Sequence, residues 1–90
     1  MRGVKQIKMN KFNQCDLVKI VRLNRQFTLK ECMPGTRTPK VGDKAYIVEI
    51  YDKPKLGYEL ESVNEEGQTD WLITIDPADL DMEFVSRSKI

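Results

Sequence analysis

Apolar and polar positions alternate most regularly between Val41 and Asp76, in the stretch VGDKAYIVEIYDKPKLGYELESVNEEGQTDWLITID. Three apolar runs, Ala45–Tyr51, Tyr58–Val63 and Trp71–Ile75, are separated by breaks around Pro54, Gly57 and Gly67. β-Branched and aromatic residues crowd the runs while Gly, Pro, Asn and Asp fill the breaks, which is the pattern of a strand meander. It predicts strands over Lys44–Asp52, Tyr58–Asn64 and Thr69–Asp76. Tyr58 and Leu60 fall on the inward side of the middle strand and Glu59 and Glu61 on the other; Leu72 and Ile75 are expected to face the core from the next. Glu65-Glu66-Gly67-Gln68 reads as the hairpin between them, with Gly67 suited to positive φ. The strand over Lys44–Asp52 is apolar on both faces, with Tyr46, Val48 and Ile50 in one set and Ala45, Ile47 and Tyr51 in the other. That fits a long, bent strand shared by both halves of a small barrel.

Cys15–Leu23 is a further strand with the same ambiguity. Val18 and Ile20 share a face with Arg22, and Leu17, Val21 and Leu23 share the other with Lys19. Period alone leaves the register open; Val18 and Ile20 are expected inward. The connection Asn24–Lys40 is long for a compact domain, and such loops are often functional. Phe27, Leu29 and Met33 predict partial docking of this loop, and Pro34-Gly35 predicts a turn within it. Asp76-Pro77-Ala78-Asp79-Leu80 predicts one helical turn, with Asp76 as cap and Pro77 in first position. Met82–Val85 supplies a fifth strand. The expected organisation is a loosely ordered basic arm over residues 1–14, one all-β domain over 15–86 and a tail over 87–90.

Ninety residues make one domain with a thin core, too small to enclose a large pocket as well. No apolar run approaches the roughly 18 residues of a membrane span, and no signal-peptide pattern occurs, so a cytoplasmic chain without a membrane partner is expected. Cys15 and Cys32 are isolated and lack CxxC spacing, which predicts free thiols in a reducing compartment. Charge changes the picture more. Residues 1–45 carry eleven Lys and Arg against three acids, and residues 46–90 carry four against eleven. Folding both halves onto one small body predicts a basic patch and an acidic patch, fields that raise encounter rates with charged partners.

Candidate chemistry is largely negative. There is no His, so the commonest general base and the Ser-His and Cys-His pairs are absent. Glu59 and Glu61 share a strand face as exposed carboxylates, and Asp76, Asp79, Asp81 and Glu83 lack the spacing of a calcium loop. No Gly-rich phosphate loop occurs. The expectation is a protein without catalytic activity, cofactor or metal.

Five short strands, a long first loop, a tight hairpin between the third and fourth strands and one helical turn before the fifth describe an SH3-like barrel. The segments RTPKVGDKAYIVEIY, LGYELESVNEEGQTDWL and DPADL resemble an uncharacterised bacterial family of small SH3-like proteins, a domain of unknown function. Its pattern is Gly-Asp, a hydrophobic strand ending in Val-Tyr, a Gly-Tyr alternating strand and an acidic-Gly hairpin. The match covers Asp16 to Leu80. Ala45 departs from a usual Gly, Ser62 departs from a usual bulky apolar residue, and the first loop exceeds the usual length. The resemblance implies a fold and no settled activity.

The leading functional expectation is a binding or accessory module for another protein. It would use the basic first loop and the groove beside it, through Arg22, Arg25, Lys30, Arg37 and Lys40, with Tyr51 and Trp71 as aromatic anchors. Aromatics and Arg dominate interface hot spots. Nucleic acid is a less favoured partner, because the aromatics lie mainly on the acidic half and net charge is only +1. A third reading is an inhibitor or immunity-type protein acting through Glu59, Glu61, Glu65, Glu66 and Asp70. Exposed edge strands leave a monomer and a weak homodimer both open.

Overall fold

Alternation in the chain becomes five strands: β1 (Leu17–Leu23), β2 (Lys44–Tyr51), β3 (Gly57–Val63), β4 (Thr69–Ile75) and β5 (Leu80–Ser86). The computed structural model describes residues 12–87. All pairings are antiparallel, and the strands form one sheet in the order β4-β3-β2-β1-β5. β4 and β5 are the two edges, and no ladder joins them, so the sheet is not closed. No helix among the described residues is long and apolar enough to cross a membrane. Most of the expected arm, residues 1–11, lies outside the described residues. Phe12, placed in that arm by sequence, packs edge-on against Tyr58 with ring centroids 6.0 Å apart. Arg87, placed in the tail, is ion-paired to Asp16.

Single-residue bulges explain why β1 and β2 are apolar on both sides. In β2 the register slips between Ile47 and Glu49, leaving Val48 as the extra residue. Ala45 and Ile47 are therefore buried before the slip and Ile50 packs inward after it, while Glu49 and Tyr51 turn out. In β1 the slip against β5 falls at Val21, so Val18 and Ile20 are buried and Leu23 packs against the same core. β4 carries an extra residue at Asp70 and β5 at Val85. A bulge bends its strand and increases local twist.

The core gathers Val18, Ile20, Cys32, Ala45, Ile47, Tyr58, Leu60, Trp71, Ile73, Ile75 and Leu80. Each large apolar side chain among them contributes about 1.5–3 kcal/mol by leaving water. Leu72, expected inward, is only half-buried. Trp71, Ile73 and Ile75 take the inward positions of β4, and period two turns Leu72 away. Ser62, a departure from the resembled family, is buried without cost, because its hydroxyl donates to the Lys44 carbonyl at 2.8 Å.

Helical structure falls in a different place from the one expected. Asp76–Asp79 is a hydrogen-bonded turn, in which Asp79 N–H donates to the Asp76 carbonyl and Asp76 N–H to the Asp79 carboxylate. β5 then begins at once, with Leu80 paired to Leu23, so no room remains for a helix. The one 3-10 turn among the described residues, Lys30–Cys32, lies inside the first loop. It buries Cys32, whereas Leu29 and Met33 stay exposed. Both cysteines are free thiols.

Candidate functional site

The first loop is tied to the sheet by saturated polar clusters. Gly42, at φ +97°, turns the chain so that the Asp43 carboxylate folds back over the loop. There it accepts from Lys40 N–H at 2.9 Å, from Arg37 Nη1 at 2.8 Å and Nη2 at 3.2 Å, and from Trp71 Nε1 at 2.9 Å. Burial works to raise the Asp43 carboxyl, but the guanidinium and the two N–H donors outweigh it and hold the group below the usual range. Gly35 completes the joint. A Cβ there would stand 2.5 Å from the Cys32 carbonyl oxygen, 2.6 Å from that of Asp70 and 2.8 Å from the Trp71 Cα. The bulge at Asp70 presents that carbonyl to Thr36 N–H and Arg37 N–H.

A second cluster centres on Arg25. Its guanidinium meets Glu31 at 3.0 Å and Asp79 at 3.2 Å and lies 4.0 Å from the Phe27 ring centroid. Glu31 also accepts from Thr28 N–H, and Thr28 Oγ1 accepts from Glu31 N–H, a reciprocal cap for the 3-10 turn. The Arg25 hydrogen bond, followed by the Thr28 N–H, lowers the Glu31 carboxyl to about 2. The third cluster pairs the fully buried Asp16 with Arg87 through two hydrogen bonds of 2.9 and 3.1 Å. Arg87, aided by Asn13 N–H, holds the Asp16 carboxyl below its ordinary value against the opposing effect of burial.

These clusters decide where the sequence-predicted binding residues stand. Arg25 and Arg37 are engaged with acids of the same chain, so the basic loop does not present them as unsatisfied charge. Arg22, Lys30 and Lys40 are exposed and make no ion pair among the described residues. Trp71 is fully buried, with its indole N–H donated to Asp43, and it is a core residue rather than a surface anchor. Tyr51 is exposed on β2 and donates its hydroxyl to Glu59 at 3.2 Å. A groove of about 520 Å³ does lie beside the loop, between residues 23–27 and Thr38-Pro39.

On the outer face, Glu49 lies directly across from Glu59 in the β2–β3 ladder. Like charges in that arrangement are destabilising. Neither has a cationic partner among the described residues. Tyr46 is exposed on the same face, and Glu61, opposite it, accepts from Thr69 Oγ1 at 2.6 Å.

A largely apolar concavity was not visible in the sequence. Phe12, Leu56, Tyr58, Ile75, Leu80 and Met82, with Pro77 and Asp81 at its margin, line a groove of about 390 Å³. It opens where the sheet is left unclosed, between the end of β4 and the start of β5. Tyr58 is 5% exposed, and its hydroxyl makes no hydrogen bond among the described residues. Burial raises that phenol above its usual value. Asp81 accepts from Asn24 Nδ2 at 3.2 Å and lies directly across from Arg22 in the β1–β5 ladder. Among the described residues, no group of three or more His, Cys, Asp or Glu is placed to hold a metal ion. The chain matches no family model, no curated protein and no solved structure.

Proposed function

We propose that the chain is an SH3-like barrel acting as a non-catalytic binding module for another protein. The barrel reading draws on the core. Five strands of one sheet bury their inward residues in a single cluster with no helical layer over them among the described residues, which a sheet achieves by wrapping on itself. The bulges at Val21, Val48, Asp70 and Val85 supply the required bend. The observation that carries the binding function is the groove beside Phe12, an apolar concavity bordered by the Tyr58 ring. It is a better docking surface than the first loop, whose arginines already spend their hydrogen bonds on Asp43, Glu31 and Asp79.

Photo-cross-linking in the organism of origin tests this reading. A cross-linking residue placed at Leu56, Lys40 or Glu49 samples the groove, the first loop and the outer face in turn. One stoichiometric protein adduct from Leu56 is expected. Absence of a protein adduct from all three positions, or adducts with nucleic acid instead, would remove the reading. A second reading, an inhibitor-like protein that covers a basic partner with its acidic face, is favoured by the uncompensated Glu49–Glu59 opposition. It predicts the adduct from Glu49.

A further inference from the structure

Two like-charged pairs stand on the outer face of the sheet. Lys19 lies directly across from Lys44 in the β1–β2 ladder, and Glu49 across from Glu59 in the β2–β3 ladder. Each opposition costs the single chain stability. The outer members of the pairs have neighbours: Glu83 of β5 stands across from Lys19, and Tyr51 donates its hydroxyl to Glu59. The inner members, Lys44 and Glu49, make no ion pair and no side-chain hydrogen bond among the described residues. Between the two pairs runs a row formed by Leu17, Tyr46, Glu61 and Leu72, each across from the next in β1, β2, β3 and β4. Tyr46 and the bulge residue Val48 are exposed there, and Leu17 and Leu72 are half-buried. The three rows, basic, largely apolar and acidic, follow one another at steps of two residues, about 7 Å.

We infer that two copies of this chain associate face to face through the outer side of β1–β4, about a two-fold axis that crosses the strands along the Leu17–Tyr46–Glu61–Leu72 row. That operation reverses the order of the rows, so Lys44 of each copy meets Glu49 of the other, and the same patch serves both sides of the contact. Lys19 and Glu59 stand one strand to either side and extend the match. Stacked sheets lie about 10 Å apart, within the combined reach of a Lys and a Glu side chain. Tyr46, Val48, Leu17 and Leu72 then leave water at the centre. The four strands, at about 4.8 Å spacing and over about 20 Å of their length, make a face of roughly 400 Å² in plan. A standard interface takes about 800 Å² from each partner, so the dimer is weak and forms in the range of about 0.1 mM. The groove beside Phe12 is lined by other residues and stays free for a different protein.

Sedimentation velocity on the full chain, up to about 1 mM and at low and roughly 0.5 M salt, tests the inference. A concentration-dependent shift toward the dimer mass is expected, weaker at high salt, with amide NMR shifts of Tyr46, Val48 and Leu72 moving in step. Lys44→Glu and Glu49→Lys should each weaken self-association about tenfold or more. Each also removes a like-charged pair from the single chain, so thermal stability should hold or rise and lost association is not lost folding. An equimolar mixture of the two variants should associate at least as tightly as the wild type, because both contacts then join Lys to Glu again. A chain that stays monomeric throughout, association that neither variant weakens, or two variants that fail to pair with each other would overturn the inference. So would association that begins only after Lys5, Lys8 and Lys11 are changed to Gln, which assigns the face to the chain's own basic arm. A cross-linker at Glu49 that captures a foreign protein and never a second copy would do the same. None of these outcomes bears on the groove, so the binding-module reading stands or falls by the Leu56 adduct.

Discussion

Trp71 and Tyr58 are both buried aromatics with a polar handle, and both belong to one core cluster, yet their surroundings differ. The Trp71 indole N–H reaches an acceptor, Asp43, whose carboxylate also takes Arg37 and the Lys40 backbone. The Tyr58 hydroxyl reaches none among the described residues, and Tyr58 lines the groove beside Phe12. A buried polar group with its partners in place fixes the structure around it. The Asp43 cluster is therefore architecture, and Tyr58 contributes to the core through its ring alone.

That contrast can be broken from the saturated side first. Gly35→Ala forces a methyl against three backbone atoms, none of which can swing aside, so the loop must lift off β4. A loss of about 3 kcal/mol in urea unfolding is expected. Asp43→Asn removes a charge from Arg37 and an acceptor from the indole or the loop, for a loss of about 2 kcal/mol by the same measurement. Stability within about 0.5 kcal/mol of wild type would show that the cluster is ornamental.

Arg87→Ala sharpens the comparison through pH. In the intact protein the Asp16 carboxyl is held below its unfolded value, so its contribution is present above about pH 4 and is lost as pH falls through the lower folded value. Without the guanidinium, burial works to raise it against the Asn13 N–H alone. The variant should be clearly less stable at pH 7, and its deficit should shrink at pH 3, where Asp16 is protonated in the unfolded chain too. Glu31 behaves in the same sense: its stabilisation is full above the ordinary glutamate range and fades as pH drops toward 2. The smallest expected effect is that of Tyr58→Phe on stability, within about 0.5 kcal/mol, because the hydroxyl it removes has no partner to lose. A large loss would show that the phenol is bonded in solution.

Strand positions were legible in residue pattern because Gly, Pro and Asn mark their ends: β2, β3 and β4 each lie within a residue of where alternation places them. Facing was legible for β3, and Val18 and Ile20 of β1 face inward as expected, but period alone did not settle the rest of β1 or β2. A bulge at Val21 or Val48 carries no residue signature and swaps every later side chain between core and surface. The helical turn was misplaced because Asp76-Pro77 suits a tight turn as well as a helix start. The actual signal, Thr28 and Glu31 in capping-box spacing, lay unread in the first loop. Charge counting was the weakest guide to the site. Arg25 and Arg37 look like a basic patch in one dimension, but Asp79 and Asp70, from the acidic half of the chain, fold against them. The groove could not be read at all, since its walls come from segments dozens of residues apart.

β1 aligns with β2 over only three residue pairs but runs alongside β5 for its whole length. A nascent polypeptide can zip β2, β3 and β4 together as each emerges, since those neighbours are joined by short loops. The earliest strand can dock on this ribbon through Leu17, Val18 and Lys19, but its other edge stays bare until β5, the last of the five, is laid against it.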